Sequence, residues 1–448
     1  MVSNALNGVI ATNRFGMGAR SGEIAEADAD PRNWLLSQLA VAPGRKTRTQ
    51  TVEAVSQIDA FQNTKRAKDE DQLKTLRQQI RDAYRGQSAL RARLAIESRT
   101  SFLERLTHFW SNHFAVSTDK NIIRGLAGPF EQEAIRPNIL SNFYDLLRSS
   151  TQHPAMLLYL DNAQSIGPQS RFGRSGKRGR NEKQAREVLE LQTMGVRSGY
   201  TQEDVTNFAK VLTGWTVPIG RVGQRLGLKG RPFAFVERMH EPGNHEVMGK
   251  RYEDEGVNQG LAVLKDLSVH EKTAHHIALK LCRHFVADEP SVSLVDRLKN
   301  VFLDTGGDLK SVYKAMIESD LAWGPERKKF KAPNEWMISA FRGLGVLVRD
   351  KHLANSTYAL GQPTYQPGSP AGFSDQASAW DGPAQLGARI DWAQVFAGRL
   401  SANRNVAHLA RQMLGDSVSK STADAIRRAE SNAQGLTLLL VSPEFMRR

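Results

Sequence analysis

Residues 98–116 read Ser-Arg-Thr-Ser-Phe-Leu-Glu-Arg-Leu-Thr-His-Phe-Trp-Ser-Asn-His-Phe-Ala-Val. Phe102, Leu106, Phe109, Trp110, His113 and Phe114 recur at three- and four-residue spacing, which places them on one face of a helix. A face with four aromatic rings needs other elements to cover it. His113 lies within that face, with Asn112 beside it, whereas His108 points to the opposite side and is expected to be exposed.

The same periodicity extends outward in both directions. Upstream, 22–40 reads as a helix, and 50–95 reads as long, largely exposed helices with sparse apolar positions at Leu73, Leu76 and Ile80. Downstream, helices are expected at 130–148 and 155–161, then at 256–267, 270–286, 291–305, 308–319 and 333–348. Between them lie Gly/Arg-rich loops at 164–180 and 217–232, and a short hairpin is expected in 233–252 around Pro242-Gly243-Asn244. Residues 361–387 form a Gly/Pro/aromatic stretch too long for a plain connection, so they read as a packed functional loop. The expectation is a mainly α fold: one helical domain over 1–448, with long irregular Gly/Pro-rich loops, at most a small β-hairpin, and a charged helical excursion at about 45–97.

Composition narrows the function classes. Apolar residues make up 40% of the chain, enough for a core, yet no apolar run approaches the roughly 20 residues that span a bilayer. Residues 1–18 hold no apolar segment of signal-peptide length, so the expectation is a cytoplasmic chain or one exported by another route. The single cysteine, Cys282, sits in an apolar helical stretch and reads as a buried structural thiol, which leaves no cysteine-rich metal site. The formal net charge of +14 favours anionic partners, either an anionic polymer or an acidic protein surface.

The chemistry-bearing stretch is Asn181-Glu182-Lys183-Gln184-Ala185-Arg186-Glu187-Val188-Leu189-Glu190-Leu191. Asn181 suits an N-cap and Gly195 a C-terminal stop. Glu182, Arg186 and Glu190 form an i, i+4, i+8 stripe that permits internal ion pairing. Glu187 falls outside the stripe, near Leu191 and Met194, where burial would raise its pKa as a general acid needs. Arg171, Arg174, Lys177, Arg178 and Arg180 in one loop, and Arg221, Arg225, Lys229 and Arg231 in the other, bracket this helix and suit an anion-attracting rim. His240-Glu241-Pro242-Gly243-Asn244-His245 lacks the helical spacing of zinc hydrolases, and no cofactor or metal is assigned.

These motifs resemble the bacterial family called domain of unknown function 1800, nearly end to end. The resemblance rests on Asn13-Arg14-Phe15-Gly16, Trp34 to Leu39, Phe109 to Phe114, Pro154 to Asp161, Asn181 to Leu191, Gly199-Tyr200-Thr201, Leu212 to Trp215, His240 to Gly243, Gly249-Lys250, Leu360 to Pro363 and Ser442 to Phe445. It nominates Asn112, His113, Asp161, Asn181, Glu182, Arg186, Glu187, Glu190, Trp215 and His240, but not His245. The family commonly has His where this chain has Gln192. It also implies a possible partner in the family called domain of unknown function 1501, which resembles exported phosphatase- and sulfatase-like proteins.

The functional expectation is a hydrolase or lyase acting on an anionic or envelope polysaccharide. Glu187 would be the general acid or base, Asp161 or Glu190 the second carboxylate about 5 Å or about 6.5–9.5 Å away, and His113 an assistant. Asn112, Asn181, Glu182, Arg186, Arg174, Arg178, Trp215 and His240 would bind substrate. The alternatives are a non-catalytic binding or assembly partner of the 1501-type protein, and nucleic-acid binding through the basic loops, which lack interleaved aromatics.

Overall fold

The computed structural model describes residues 6–44, 50–175, 179–228, 230–346, 349–400 and 404–448. The fold is mainly α; among the described residues, strands occur only in two two-stranded antiparallel sheets. The aromatic helix runs Ser101–His113, and Phe102, Leu106, Trp110 and neighbouring Phe114 are fully buried. Each such side chain contributes about 1.5–3 kcal/mol of burial free energy. The Trp110 indole N–H also donates to Tyr313 Oη at 2.5 Å, and Tyr313 donates to the Ile139 carbonyl at 2.9 Å. The buried polar tips are thus satisfied.

Two apolar clusters make up the interior. The first surrounds the aromatic helix and includes Phe143, Leu189, Phe208, Phe285 and Phe302. The second gathers Trp336, Phe341, Leu440 and Phe445 from the later helices. Helix Glu70–Glu97 serves both: Tyr84 packs on the first cluster, while Ala92, Ala95 and Ile96 belong to the second. Helix Thr51–Ala67 pairs with it, and its Val55 and Ile58 enter the first cluster.

Because helix Glu70–Glu97 packs beside the aromatic helix, and Glu335 of helix Pro333–Leu344 reaches its Arg105, the aromatic helix has almost no solvent face. His108, expected to be exposed, is partly buried for this reason. Buried ion pairs fasten the seam. Arg105 contacts Glu335 at 2.7 Å, Arg136 grips both oxygens of Glu104 at 2.7 Å, and Arg342 holds Glu23 at 3.0 Å. Arg448 donates to Glu335 and to the carbonyls of His284 and Phe285, the open C-terminal end of helix Glu271–Phe285.

Five local readings change. The helix expected at 22–40 is two, Glu23–Asp28 and Pro31–Gln38, because Asp30 caps a new start at Pro31. The one expected at 130–148 breaks into a π turn, Glu131–Ile135, a tighter turn, Arg136–Asn138, and helix Phe143–Gln152 capped by Asn142. The hairpin pairs His245–Val247 with Lys250–Tyr252 and turns at Met248 and Gly249, both at positive φ, rather than at 242–244. Two successive positive-φ residues match the twist of a tight hairpin. The second sheet, Trp215–Thr216 with Ala234–Phe235, was not anticipated, being only two residues per strand. Helix Gly220–Leu226 also interrupts the expected loop at 217–232. No helix among the described residues is long and apolar enough to cross a membrane.

Candidate functional site

The helix at the centre of the sequence reading runs Lys183–Glu187 and widens into a π turn, Val188–Gln192. The N-cap is Glu182, which makes no capping side-chain bond; Asn181, expected there, stands one residue earlier, where its Oδ1 accepts from the Lys183 N–H at 2.8 Å. Its amide nitrogen donates to the Leu160 carbonyl, tying the helix to the preceding segment. The π turn leaves carbonyls at its end. His113 Nε2 donates to that of Gln192 at 3.0 Å, and His276 Nε2 to that of Leu191 at 3.3 Å. Burial is the main force holding both imidazoles below the usual range, His276 at about 4, so both are neutral donors. His113 is 1% exposed and enclosed by Trp110, Phe114 and His276.

The charged stripe pairs internally. Arg186 lies 3.6 Å from Glu182 and 3.7 Å from Glu190. Glu182 also accepts from Arg180, Gln202 and Thr206. Burial raises the Glu182 pKa, and these hydrogen bonds outweigh it, leaving the group below its ordinary value. Glu190 accepts from Tyr200 at 2.5 Å. Asp161, in the left-handed region at φ 61°, is held by Lys120 and Lys183; these two cations reverse the effect of burial and keep it ionised. Glu187 differs. It is half-buried, makes no hydrogen bond or ion pair among the described residues, and has a pKa raised by burial and then by Glu190, against Arg186.

The remaining nominated residues lie apart from Glu187. Trp215 is fully buried, edge-on to Phe233 and pressed against Gly260. His240 is 5% exposed and donates through Nδ1 to the Thr213 carbonyl at 3.0 Å. Gln192, where the family commonly has His, is buried with its amide against Met156 Sδ at 3.6 Å. Arg174 is exposed on its loop; Lys177, Arg178 and Lys229 lie outside the described residues.

A different cluster forms a cleft at the seam between the two apolar clusters, with a volume of about 80 Å³. Its walls include His108 and Asn112 of the aromatic helix, His284, and Asn334 and Glu335 of helix Pro333–Leu344. The outer wall is the irregular stretch at 361–376, which contributes Gln362, Tyr365, Phe373 and Asp375. Asn112 secures that wall by pairing both ways with Phe373, at 2.8 and 2.7 Å. Gly372 makes the approach possible: at φ +80° a Cβ would stand 2.3 Å from the Asn112 carbonyl oxygen.

The electrostatics of the cleft are specific. His284 Nδ1 lies 2.9 Å from Asp375 Oδ1. Burial raises the Asp375 pKa, but the contact with His284 and the nearby Lys280 and Lys329 bring it below its usual value. The carboxylate is therefore the acceptor, and Nδ1 carries the proton. His284 itself is held below the usual range, by burial first and by Arg105, against Asp375 and Glu335. It is neutral at pH 7, with a bare Nε2 that lies 3.9 Å from Glu335 Oε1 and makes no hydrogen bond. His108 Nε2 and Asn334 Oδ1 are also buried without a hydrogen-bond partner. Three residues that line the cleft thus each carry a buried polar atom that a water or a polar ligand would satisfy.

Of the residues nominated from sequence, Asn112 lines this cleft. His108, His284, Glu335 and Asp375 were missed, since they are scattered along the chain from 108 to 375 and no spacing rule connects them. The one available signal was Pro333-Asn334-Glu335, a helix start whose third residue is acidic. No group of three or more His, Cys, Asp or Glu side chains among the described residues is placed to hold a metal ion. No curated protein and no solved structure matches the chain. The profile of the family described as "Protein of unknown function (DUF1800)" matches residues 10–447, and the chain belongs to that family.

Proposed function

We propose that the protein is a hydrolase that removes a small acyl group from an anionic polymer such as an envelope polysaccharide, with His284 as general base. The supporting observation is the His284–Asp375 pair in the lining of a cleft, with Nε2 of that histidine, like His108 Nε2 and Asn334 Oδ1 in the same lining, left without a hydrogen-bond partner. Asp375 fixes the tautomer and stabilises the imidazolium that forms, as a carboxylate does behind a catalytic histidine. A volume of about 80 Å³ suits a substituent of a few atoms rather than a sugar ring, given roughly 30 Å³ per water molecule. The charge of +14 favours an anionic carrier.

In the reaction, His284 Nε2 takes a proton from water as the water oxygen bonds to the acyl carbon. The ester C–O bond breaks, and the imidazolium returns the proton to the leaving alkoxide. The products are a carboxylic acid and an alcohol. Gln362, whose Oε1 is held by the Asn334 N–H at 2.8 Å, offers its amide nitrogen to the developing oxyanion. Glycoside cleavage by Glu187 with Asp161 or Glu190 is less well supported. It needs two carboxylates free to act, and both partners are already held, by lysines and by Tyr200 with Arg186.

The test is hydrolysis of 4-nitrophenyl acetate and of an O-acetylated anionic polysaccharide. His284→Gln is expected to lower kcat at least about 100-fold, the ordinary contribution of general-base catalysis. The wild-type kcat/KM should be level above pH 7 and fall on an acid limb below about 6.5, because the His284 pKa is depressed. Full activity in His284→Gln, or no ester cleavage by the wild type, overturns the reading.

A second reading, a non-catalytic assembly partner of a protein of the 1501 family, is favoured by one observation: the stripe charges Glu182, Arg186 and Glu190 are engaged in internal contacts. Co-purification of the two proteins at low salt, with esterase activity absent, would select it.

A further inference from the structure

Helices Thr51–Ala67 and Glu70–Glu97 enclose a second concavity, far larger than the cleft, at about 590 Å³. Its floor is apolar: Ile58 is buried, and Phe61, Ile80 and Ile122 are half-buried along it. Four cations, Lys65, Arg77, Arg81 and Arg124, line it, and among the described residues no carboxylate does. Local contacts leave these cations largely available. Arg77 is 4.0 Å from Glu70, Arg81 donates to the Gln78 amide, and Arg124 reaches the Thr118 carbonyl at 3.4 Å.

The hollow continues along the same helix pair. A second space of about 280 Å³ shares Ala54, Gln57 and Gly125 with the first; Ala83, Gly86 and Leu90 line it, together with the polar Gln50, Glu53 and Gln87. Small residues on both helices keep the backbones from filling it. We propose that this groove binds a free amphipathic anion, an alkyl or acyl chain carrying one phosphate or carboxylate group. The head would sit among the four cations and the chain on the Ile58–Phe61–Ile80–Ile122 floor, running toward Leu90. Charge complementarity selects the anion: four cations line the wider concavity, the one carboxylate among the described residues of the groove, Glu53, belongs to the narrower space where the chain would end, and guanidinium forks match phosphate or carboxylate oxygens. The apolar floor selects the chain. A concavity of about 590 Å³ falls within the range of small-molecule sites, about 300–1,000 Å³.

The site is independent of His284, so its test is separate from that of the hydrolase. The probe is decyl phosphate below its micellar concentration, titrated calorimetrically into the full chain. The expected result is saturable one-to-one binding, at least tenfold weaker for decanol and for inorganic phosphate. Arg77→Gln with Arg81→Gln, both exposed helix positions, should weaken binding at least tenfold. Phe61→Asn should weaken binding to a similar degree, while His284→Gln should leave it unchanged. Binding indifferent to the paired arginine variant, or absent, overturns the proposal. Association only with phosphatidylglycerol vesicles, and not with the monomeric probe, overturns it in favour of a membrane surface.

Discussion

Glu187 and His284 show how two titratable side chains with perturbed pKa values come to different uses. Glu187 is raised by burial and by Glu190, lacks any hydrogen bond or ion pair among the described residues, and stands on the motif helix. His284 is depressed by burial, has a fixed tautomer, and faces a cleft. A raised carboxylate favours folding fully only below its unfolded pKa of about 4.5, and that contribution is lost as pH rises through the folded value. Glu187→Gln is therefore expected to stabilise the protein at neutral pH by a few tenths of a kcal/mol after solvent screening. The gain should vanish near pH 4, as followed by urea unfolding at each pH, and ester hydrolysis should be unchanged. A loss of turnover in this variant would instead return Glu187 to the centre of the chemistry.

Among elements, the π turn Val188–Gln192 and the stretch at 361–376 carry most of what helical periodicity missed. The spacing of Ala185, Val188 and Leu189 announces a helix, and all three are fully buried. Nothing in that spacing marks the widening at Val188, because it is set by where His113 and His276 meet the terminal carbonyls. The stretch at 361–387 was legible as a packed loop from its length and its Gly/Pro content, although helix Pro383–Leu400 takes its last residues; its partner, Asn112, was not legible. Gly372→Ala tests that wall. The new Cβ would meet the Asn112 carbonyl oxygen at 2.3 Å on a backbone at φ +80°, so the loop must move away. The expected outcome is a loss of stability of about 1–3 kcal/mol, seen in denaturant unfolding, together with loss of esterase activity. Ordinary activity at wild-type stability would show that the wall does not shape the site.

On the scale of the whole molecule, the seam between two apolar clusters is the organising feature. Glu335 stands there between Arg105 and Arg448, and these cations with His284 overcome burial and hold its carboxyl well below the usual range. Buried neutral histidines add a second pH dependence. His153, which donates through Nε2 to Thr51 at 2.9 Å and caps helix Pro154–Tyr159, is lowered to about 3 by burial. Both effects have the same sign. A histidine that resists protonation only in the folded state costs stability as pH falls below about 6.5, and Glu335 loses its contribution below about 4.5. Stability should be level above pH 7 and decline in two stages on acidification. Glu335→Gln should lower stability at pH 7 by about 3–5 kcal/mol, because it leaves buried arginines uncompensated, and should weaken the later stage, to which Asp161, Glu182 and Asp375 also contribute. Equilibrium unfolding at pH 8, 6, 5 and 4 separates the two.

The sequence alone determined the mainly α fold, the aromatic face of 98–116, the start of the motif helix to within a residue, the internally paired stripe and the family. Each is set by contacts within about eight residues along the chain, or by motif identity, and linear spacing reports those. The tertiary structure decided that the aromatic helix is buried on nearly all sides, that His113 spends its proton on a carbonyl, and that His108, His284, Glu335 and Asp375 share one cleft. The physical reason is that both the loss of water around a side chain and the meeting of charges depend on elements far apart in sequence. A helical wheel records which residues share a face, but what packs against the opposite face is fixed only when the second cluster docks.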